Sequence, residues 1–427
     1  MIIILLFVIM LVLVILGLPI VYSIGWASVI ILLVQGIASP TLLPGRMFLG
    51  LNKFMLSAIP FFLLSAELLV RGGLIKRLIN FVSALIGHVR GGLAQVNIVA
   101  SMIFAGIQAS VTADSAAIGG VLIPAMTEEG YDKDLSVVVT ATSSCCGPII
   151  PPSILMILYG FLTGTSVAKL FLGGAIPGII FGFSLMGITH YWVVKRGYKK
   201  RREKMASFKE IAKTGFETSP ALLVPIIIVV GIVGGIVTPT EAGVLACIAA
   251  ICVSFFYREI TLSKVFESLK GAVATTAVIL CVVAVSTVFS EILTRYLFSV
   301  KMVAAISFIT SNSYIALLLM TIFIFFLGMV IDTTPLLIML ASPLYNAALS
   351  IGIDPVHLGV VLVMSALIGT ISPPVSLILC LDCGIAKIPL SETFSIVWSY
   401  LLVMLAVVIL CIFIPYTVTW LPSVFLQ

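Results

Sequence analysis

Two short motifs carry the strongest chemical signal in this sequence: Gly147-Pro-Ile-Ile-Pro-Pro-Ser-Ile-Leu155 and Gly369-Thr-Ile-Ser-Pro-Pro-Val-Ser-Leu377. They agree at five of nine positions and lie 222 residues apart, an interval that also carries Phe104 and Gly106 onto Phe326 and Gly328. Each half of the chain therefore holds a glycine and, 45 residues later, a Pro-Pro pair. With 20 prolines in 427 residues, about one such pair arises by chance, but two in matching register do not. Proline removes a helical donor and clashes with the preceding turn, while glycine tolerates unwound backbone. The freed carbonyls suit a hard cation such as Na⁺, and the N-termini of the resulting half-helices suit an anion.

Oxygen-bearing side chains gather at these breaks. Gln108, Ser110, Thr112, Asp114 and Ser115 surround the first glycine; Thr140, Thr142, Ser143 and Ser144 precede the first Pro-Pro, and Ser153 follows it. Their counterparts are Asp332, Thr333 and Thr334, then Ser365, Thr370, Ser372 and Ser376. Hydroxyls and carbonyls are suitable Na⁺ ligands by analogy with other hard cations. The bland alternative for any one of them is helix-helix packing. Acidic residues in an apolar segment are functional suspects, which singles out Asp114 and Asp332, with helix N-capping as the alternative role. The two are not equivalent by the 222-residue interval, since Leu336 stands opposite Asp114. Glu67, Glu241 and Asp382 are further candidates; Glu241, in Thr238-Pro-Thr-Glu-Ala, has the spacing of a capping residue.

Other chemistries find little support. Three histidines, no HExxH and no GxSxG argue against an enzyme. The eight cysteines lie in apolar surroundings, and Cys380-Leu-Asp-Cys383 has no second Cys or His pair nearby, so packing is the reading there. A net charge of +6 without a soluble basic face excludes nucleic acid as a partner.

The elements that position the motifs are membrane helices. The chain is 61% hydrophobic and 9% charged, with a mean hydropathy of +1.29. Charges form islands between apolar stretches long enough to cross about 30 Å of hydrocarbon, where backbone groups must be satisfied within helices. The first residues, MIIILLFVIM, read as a retained span rather than a signal peptide. Gly17-Leu18-Pro19 makes either a reversal between two short spans or a kink in one long helix. The stretch from Arg71 to Arg90 has the pattern of an interfacial amphipathic helix.

The densest basic run, from Lys195 to Lys213, belongs in the cytoplasm. Alternating outward from it leaves 18 of the 23 basic residues inside and places only Arg46, Lys53, Lys169, Arg295 and Lys301 outside. The run divides the chain into halves of opposite starting side, so the repeat is inverted in the membrane. Corresponding Gly- or Pro-interrupted segments in two halves mark a transporter's binding site; a channel lacks such a site.

GIQASVTADSAAIGGVLIPAM, GYDKD, GPIIPPSILMILYG and LFLGGAIPG, in that order, resemble the large membrane (permease) subunit of tripartite ATP-independent periplasmic (TRAP) transporters, and the resemblance covers essentially the whole chain. It implies an all-α polytopic membrane protein of about 11 transmembrane helices: an inverted-repeat, elevator-type transporter with two re-entrant hairpins and two broken helices. Gly106 to Asp114 and Gly328 to Thr334 would be the hairpin tips, and GPIIPP and GTISPP the unwound helix centres. Import of a small organic carboxylate coupled to Na⁺ across the bacterial inner membrane is implied, with no other cofactor. So are a separate small four-helix membrane partner and a periplasmic substrate-binding protein. Family substrates include C4-dicarboxylates and sialic acids, with a slight lean to the latter; the alternative is a stand-alone Na⁺/organic-anion symporter of the same architecture.

On this basis Gly106, Ser110, Thr112, Ser143 and Gly147 are expected at one Na⁺ site, and Gly328, Asp332, Thr333, Gly369 and Ser372 at a second. Ser110, Asp114, Pro151, Ser153, Thr334, Pro373 and Ser376 are expected around the substrate. The expected layout is scaffold and arm at 1–92, hairpin and broken helix at 93–167, and a long helix with the basic loop at 168–218. Scaffold and arm follow at 219–313, hairpin and broken helix at 314–391, and a final helix at 392–427.

Overall fold

A computed structural model describes residues 1–36, 42–107, 110–198 and 205–426. The first half comprises α1 (Ile2–Ile15), α2 (Ile20–Val34), α3 (Leu42–Leu51), α4 (Ala58–Arg71), α5 (Leu74–Ile86), α6 (Gly92–Ala105), α7 (Val111–Glu128), α8 (Lys133–Ser144), α9 (Ile154–Thr163) and α10 (Val167–Lys195). The second comprises α11 (Phe208–Val233), α12 (Pro239–Phe256), α13 (Leu262–Arg295), α14 (Phe298–Ile309), α15 (Ser313–Gly328), α16 (Thr333–Ser350), α17 (Pro355–Ile371), α18 (Leu377–Ala386), α19 (Phe394–Phe413) and α20 (Tyr416–Phe425). No strand occurs among the described residues.

Advancing α7 by 222 positions lands on α16 to the residue, and α5, α6, α8 and α9 land within three residues of the starts of α14, α15, α17 and α18. The repeat legible in two nonapeptides is thus a repeat of helices. Packing follows it: α6 lies on α8 as α15 lies on α17, and α7 lies on α18 as α16 lies on α9. The last two contacts cross between halves and join both hairpins and both broken helices into one body. Around it, α4 packs between α12 and α13, and α2 and α3 also lie on α13.

Six helical stretches among the described residues are long and apolar enough to cross a membrane: 54–71, 167–195, 208–233, 239–256, 262–295 and 390–413. The hairpin arms and half-helices have 10–18 residues, none longer than the shortest of those stretches. They are viable because they pair with one another, so buried protein rather than lipid surrounds their ends.

At the N-terminus, α1 and α2 pack on each other. Gly17 between them, at φ +87°, accepts the left-handed turn that ends α1, so the reversal is the reading that holds. α5 is the short amphipathic helix expected after Arg71; it packs on α6 and α11, and its Arg77 stacks 4.0 Å above the Tyr257 ring. Glu241 is a capping residue: its carboxylate takes the Thr238 N–H at 2.7 Å, while the Thr238 hydroxyl takes the Glu241 N–H at 3.4 Å. All eight cysteines are free.

Candidate functional site

Hairpin 1 is α6 and α7, and hairpin 2 is α15 and α16. Gly106 caps α6, and a Cβ there would lie 2.9 Å from Cβ of Pro225, so the first tip rests directly on α11. Gly328 ends α15 against the second broken helix. A Cβ on Gly369 would lie 2.7 Å from both Gly328 Cα and the Phe325 carbonyl oxygen. Two backbones touch there, and only glycine permits it.

The helices break where the Pro-Pro pairs predict, between α8 and α9 and between α17 and α18. Each pair is joined by a cis peptide bond. The Ser153 hydroxyl caps α9, accepting the Met156 N–H at 3.3 Å and donating to the Pro148 carbonyl at 2.6 Å. Ser376 caps α18 by accepting the Leu379 N–H at 3.3 Å. Ser372 donates to the Ile368 carbonyl at 2.8 Å, and Thr370 and Thr333 join hydroxyls at 3.0 Å.

Both hairpin tips face one cavity of about 220 Å³. Hairpin 1 contributes Ser110, Val111 and Thr112; the first broken helix contributes Pro148, Ile154 and Leu155; hairpin 2 contributes Asp332, Thr333, Thr334 and Pro335. The outer wall is Ile20, Val21, Leu63 and the α13 residues Thr275, Val278, Ile279 and Val282. Three helices, α7, α9 and α16, begin at this space. The N–H groups of a helix's first turn have no intrahelical acceptor and carry the positive end of its dipole. An anion placed here meets three such ends.

A second polar region lies behind the first tip. Asp114 and Asp382 are both fully buried. The Ser115 hydroxyl donates to Asp382 Oδ1 at 2.7 Å, tying hairpin 1 to the second broken helix. Among the described residues, neither Asp114 oxygen nor Asp382 Oδ2 has a hydrogen bond of good geometry, although Ser101 lies beside Asp114. The surroundings are rich in oxygen: Ser101 and Ser143 meet at 3.2 Å, Ser143 reaches Asn97 Oδ1 at 3.4 Å, and Asn97 Nδ2 donates to Thr140 at 2.7 Å. Buried carboxyl oxygens without partners are costly, and three of them beside hydroxyls can receive a small hard cation. Among the described residues, no group of three or more His, Cys, Asp or Glu side chains is placed to hold a metal ion.

The structure thus brings Ser110, Thr112, Asp332, Thr333 and Thr334 to the cavity, and Ser143 to the buried region. Gly106, Gly147, Gly328 and Gly369 stand at the tips and breaks that shape these spaces. Ser153, Ser376, Pro151, Pro373 and Asp114 do not line the cavity; the two serines have hydroxyls committed to helix caps. Capping is not the role of Asp114, which lies in the first turn of α7 with unpartnered oxygens, whereas Asp332 does hold the N-cap position of α16. Gln108 falls outside the described residues.

Sequence reasoning missed Asn97 and Ser101, whose spacing of four in an apolar helix was the available signal. It also missed Thr275 and its neighbours on α13, for which no local signal exists, because a wall residue is defined only by what packs opposite.

The sequence pattern of the family described as "Tripartite ATP-independent periplasmic transporter, DctM component" matches residues 7–417. The chain is 33% identical over 416 residues to the Vibrio cholerae sialic acid TRAP transporter large permease protein SiaM, covering 96% of each chain. It is 32% identical over 441 residues to the C4-dicarboxylate TRAP transporter large permease protein DctM of Vibrio cholerae, covering 98% of this chain and 97% of that one. To the 2,3-diketo-L-gulonate TRAP transporter large permease protein YiaN of Escherichia coli K12 it is 34% identical over 367 residues, 86% of each. In fold it resembles the solved Alcanivorax borkumensis YdaH transporter, with a TM-score of 0.64 at 12% identity over 87% of this chain and 86% of that one.

Proposed function

The chain belongs to the DctM-component family, the large permease subunits of tripartite ATP-independent periplasmic transporters, and from that premise we propose that it imports a small organic carboxylate in symport with Na⁺. The observation that carries this reading is the cavity of about 220 Å³ onto which α7, α9 and α16 all open their N-termini. A carboxylate is held there by first-turn N–H groups and by the hydroxyls of Ser110, Thr112, Thr333 and Thr334. Na⁺ is held behind each tip. One site draws on Asp114, Ser143 and the carbonyls freed near Gly106 and Gly147, and the other on Asp332, Thr333, Ser372 and the carbonyls near Gly328 and Gly369.

The two hairpins and two broken helices move as one body against a scaffold of α2, α4, α11, α12 and α13. The cross-repeat contacts α7–α18 and α9–α16 support this division. Substrate is delivered by a periplasmic binding protein, and a small membrane subunit completes the transporter in the inner membrane. The relatives named for sialic acid, C4-dicarboxylate and diketogulonate share carboxylates as their cargo, which is the substrate class proposed here.

The test is uptake into proteoliposomes holding this chain with its small subunit. Uptake of a receptor-bound carboxylate that requires Na⁺ and stops without the receptor is expected. Equal rates in K⁺ medium would remove Na⁺ as the coupling ion, and receptor-free uptake would remove the tripartite assembly.

A further inference from the structure

On the cytoplasmic side of the first tip the cavity has a continuation. A space of about 180 Å³ lies between the tip residues Ser110, Thr112 and Ala113 and the scaffold residues Leu63, Glu67 and Thr275. It shares Leu63, Ser110, Thr112 and Thr275 with the larger cavity. Its position follows from the charges: Arg71 closes α4 and Lys264 opens α13, both on the basic, inner side.

Among the described residues, Glu67 is the only charged side chain on its wall. Its carboxylate accepts Nε of Arg71 at 3.1 Å, and the same guanidinium gives Nη1 to Glu267 at 2.9 Å. One cation is thus divided between two carboxylates, and of these groups Glu67 is the one that lines the space. The place of the Glu67 carboxyl is built in, since a Cβ on Gly271 would lie 3.1 Å from Glu67 Cδ. Glycine on α13 makes room for the acid.

A carboxylate beside the path of an anionic cargo needs a reason, because it weakens cargo binding wherever the two come close. We propose that Glu67 is a release-side discriminator: it lowers the affinity of the inward-facing site for carboxylates, speeding their discharge and keeping cytoplasmic carboxylates from loading in reverse. The inference rests on the transport reading above. Glu67 stays with the scaffold while the tips move, so its repulsion acts on one side of the cycle only. A unit charge acting over roughly 10 Å through an effective dielectric of about 20 changes affinity on the order of tenfold, and the factor is squared for a dianion.

The experiment measures binding from the cytoplasmic side, by substrate counterflow in oriented proteoliposomes of the complete transporter. N-acetylneuraminate serves as the monoanionic probe and succinate as the dianionic one. E67Q should tighten cytoplasmic-side binding about tenfold for the monoanion and by a larger factor for the dianion, with slower release. E67D, which keeps the charge, should behave as wild type, a rescue that separates charge from packing. Equal cytoplasmic affinity in wild type and a well-folded E67Q would overturn the proposal, as would an equal gain for both probes. An E67Q protein that fails to fold moves the test to E267Q, where a smaller gain with the same dependence on cargo charge is expected and no gain refutes. A wild-type transporter that moves neither probe nor any other carboxylate defeats the transport reading itself, whereas wild-type transport with an unaltered E67Q defeats only this inference.

Discussion

The two broken-helix regions, 92–163 and 313–386, share a backbone and differ in chemistry. Behind the first tip, Asp114 and Asp382 stand beside Ser101, Ser143, Asn97 and Thr140, with three carboxyl oxygens lacking partners. Behind the second, backbone meets backbone at Gly328 and Gly369, Thr333 and Thr370 join hydroxyls, and Asp332 holds the N-cap position of α16. The cap positions also differ, Ser110 in the first hairpin standing where Asp332 stands in the second. Duplication fixed the path of the chain, and side chains then diverged within it. A buried carboxyl pair drawn from both halves stands behind the first tip, and a close approach of glycines beside Asp332 stands at the second, so the two proposed ion sites need not be alike.

The sharpest way to break that comparison is at the glycine contact. Gly369→Val forces a β-branched side chain into the Gly328 and Phe325 backbones, and uptake should fall about 100-fold or more, as misplacement by about an ångström can do at a preorganised site. Membrane insertion and elution as a folded complex should persist. Near-normal uptake would show that the second break does not shape the site. Next in size, Asp114→Asn should weaken Na⁺ dependence about 10- to 100-fold, the loss of one charge-assisted ligand. It should be read as the Na⁺ concentration for half-maximal uptake. If Asp332→Asn produces the larger change instead, the second tip and not the first supplies the dominant anionic ligand.

A smaller effect is expected at the bases of the hairpins. Asp132 and Asp354 are equivalent by the repeat. In the first half Arg196 takes Asp132 at 2.7 Å and both oxygens of Asp134 at 2.7 and 2.8 Å, pinning α10 to the α7–α8 turn. In the second, Asp354 only caps its own helix, accepting the Val356 and His357 N–H groups at 2.9 Å. Arg196→Ala should cost about 1.5–3 kcal/mol of stability, and Asp354→Ala about 1 kcal/mol. Thermal unfolding of the purified complex ranks the two. The reverse order would mean that the arginine bridge is an exposed pair with little net effect.

How far the sequence could be read divides along the same line. Breaks and hairpins were legible because glycine and proline act locally on the backbone: Gly106, Gly328 and the two Pro-Pro pairs mark their own positions. The cavity was legible only in part. Ser110, Thr112, Asp332, Thr333 and Thr334 follow a glycine break directly, so their place at a tip is a matter of chain geometry. The Asp114–Asp382 neighbourhood was not legible, since it joins residues 268 positions apart on different halves. Ser153 and Ser376, expected around the substrate, have hydroxyls that the structure gives to the first turns of α9 and α18. A hydroxyl at the start of a half-helix looks like a ligand in the sequence, but the helix itself uses it first.

The first two helices carry a consequence for the lipid around them. At 14 and 15 residues they rise roughly 21–22 Å, against about 30 Å of hydrocarbon in an average bilayer. Such a shortfall is met by local thinning, at fractions of a kcal/mol per ångström of mismatch. Thinning on that flank would make acyl-chain length a variable of the transport rate, even where no lipid touches the cargo.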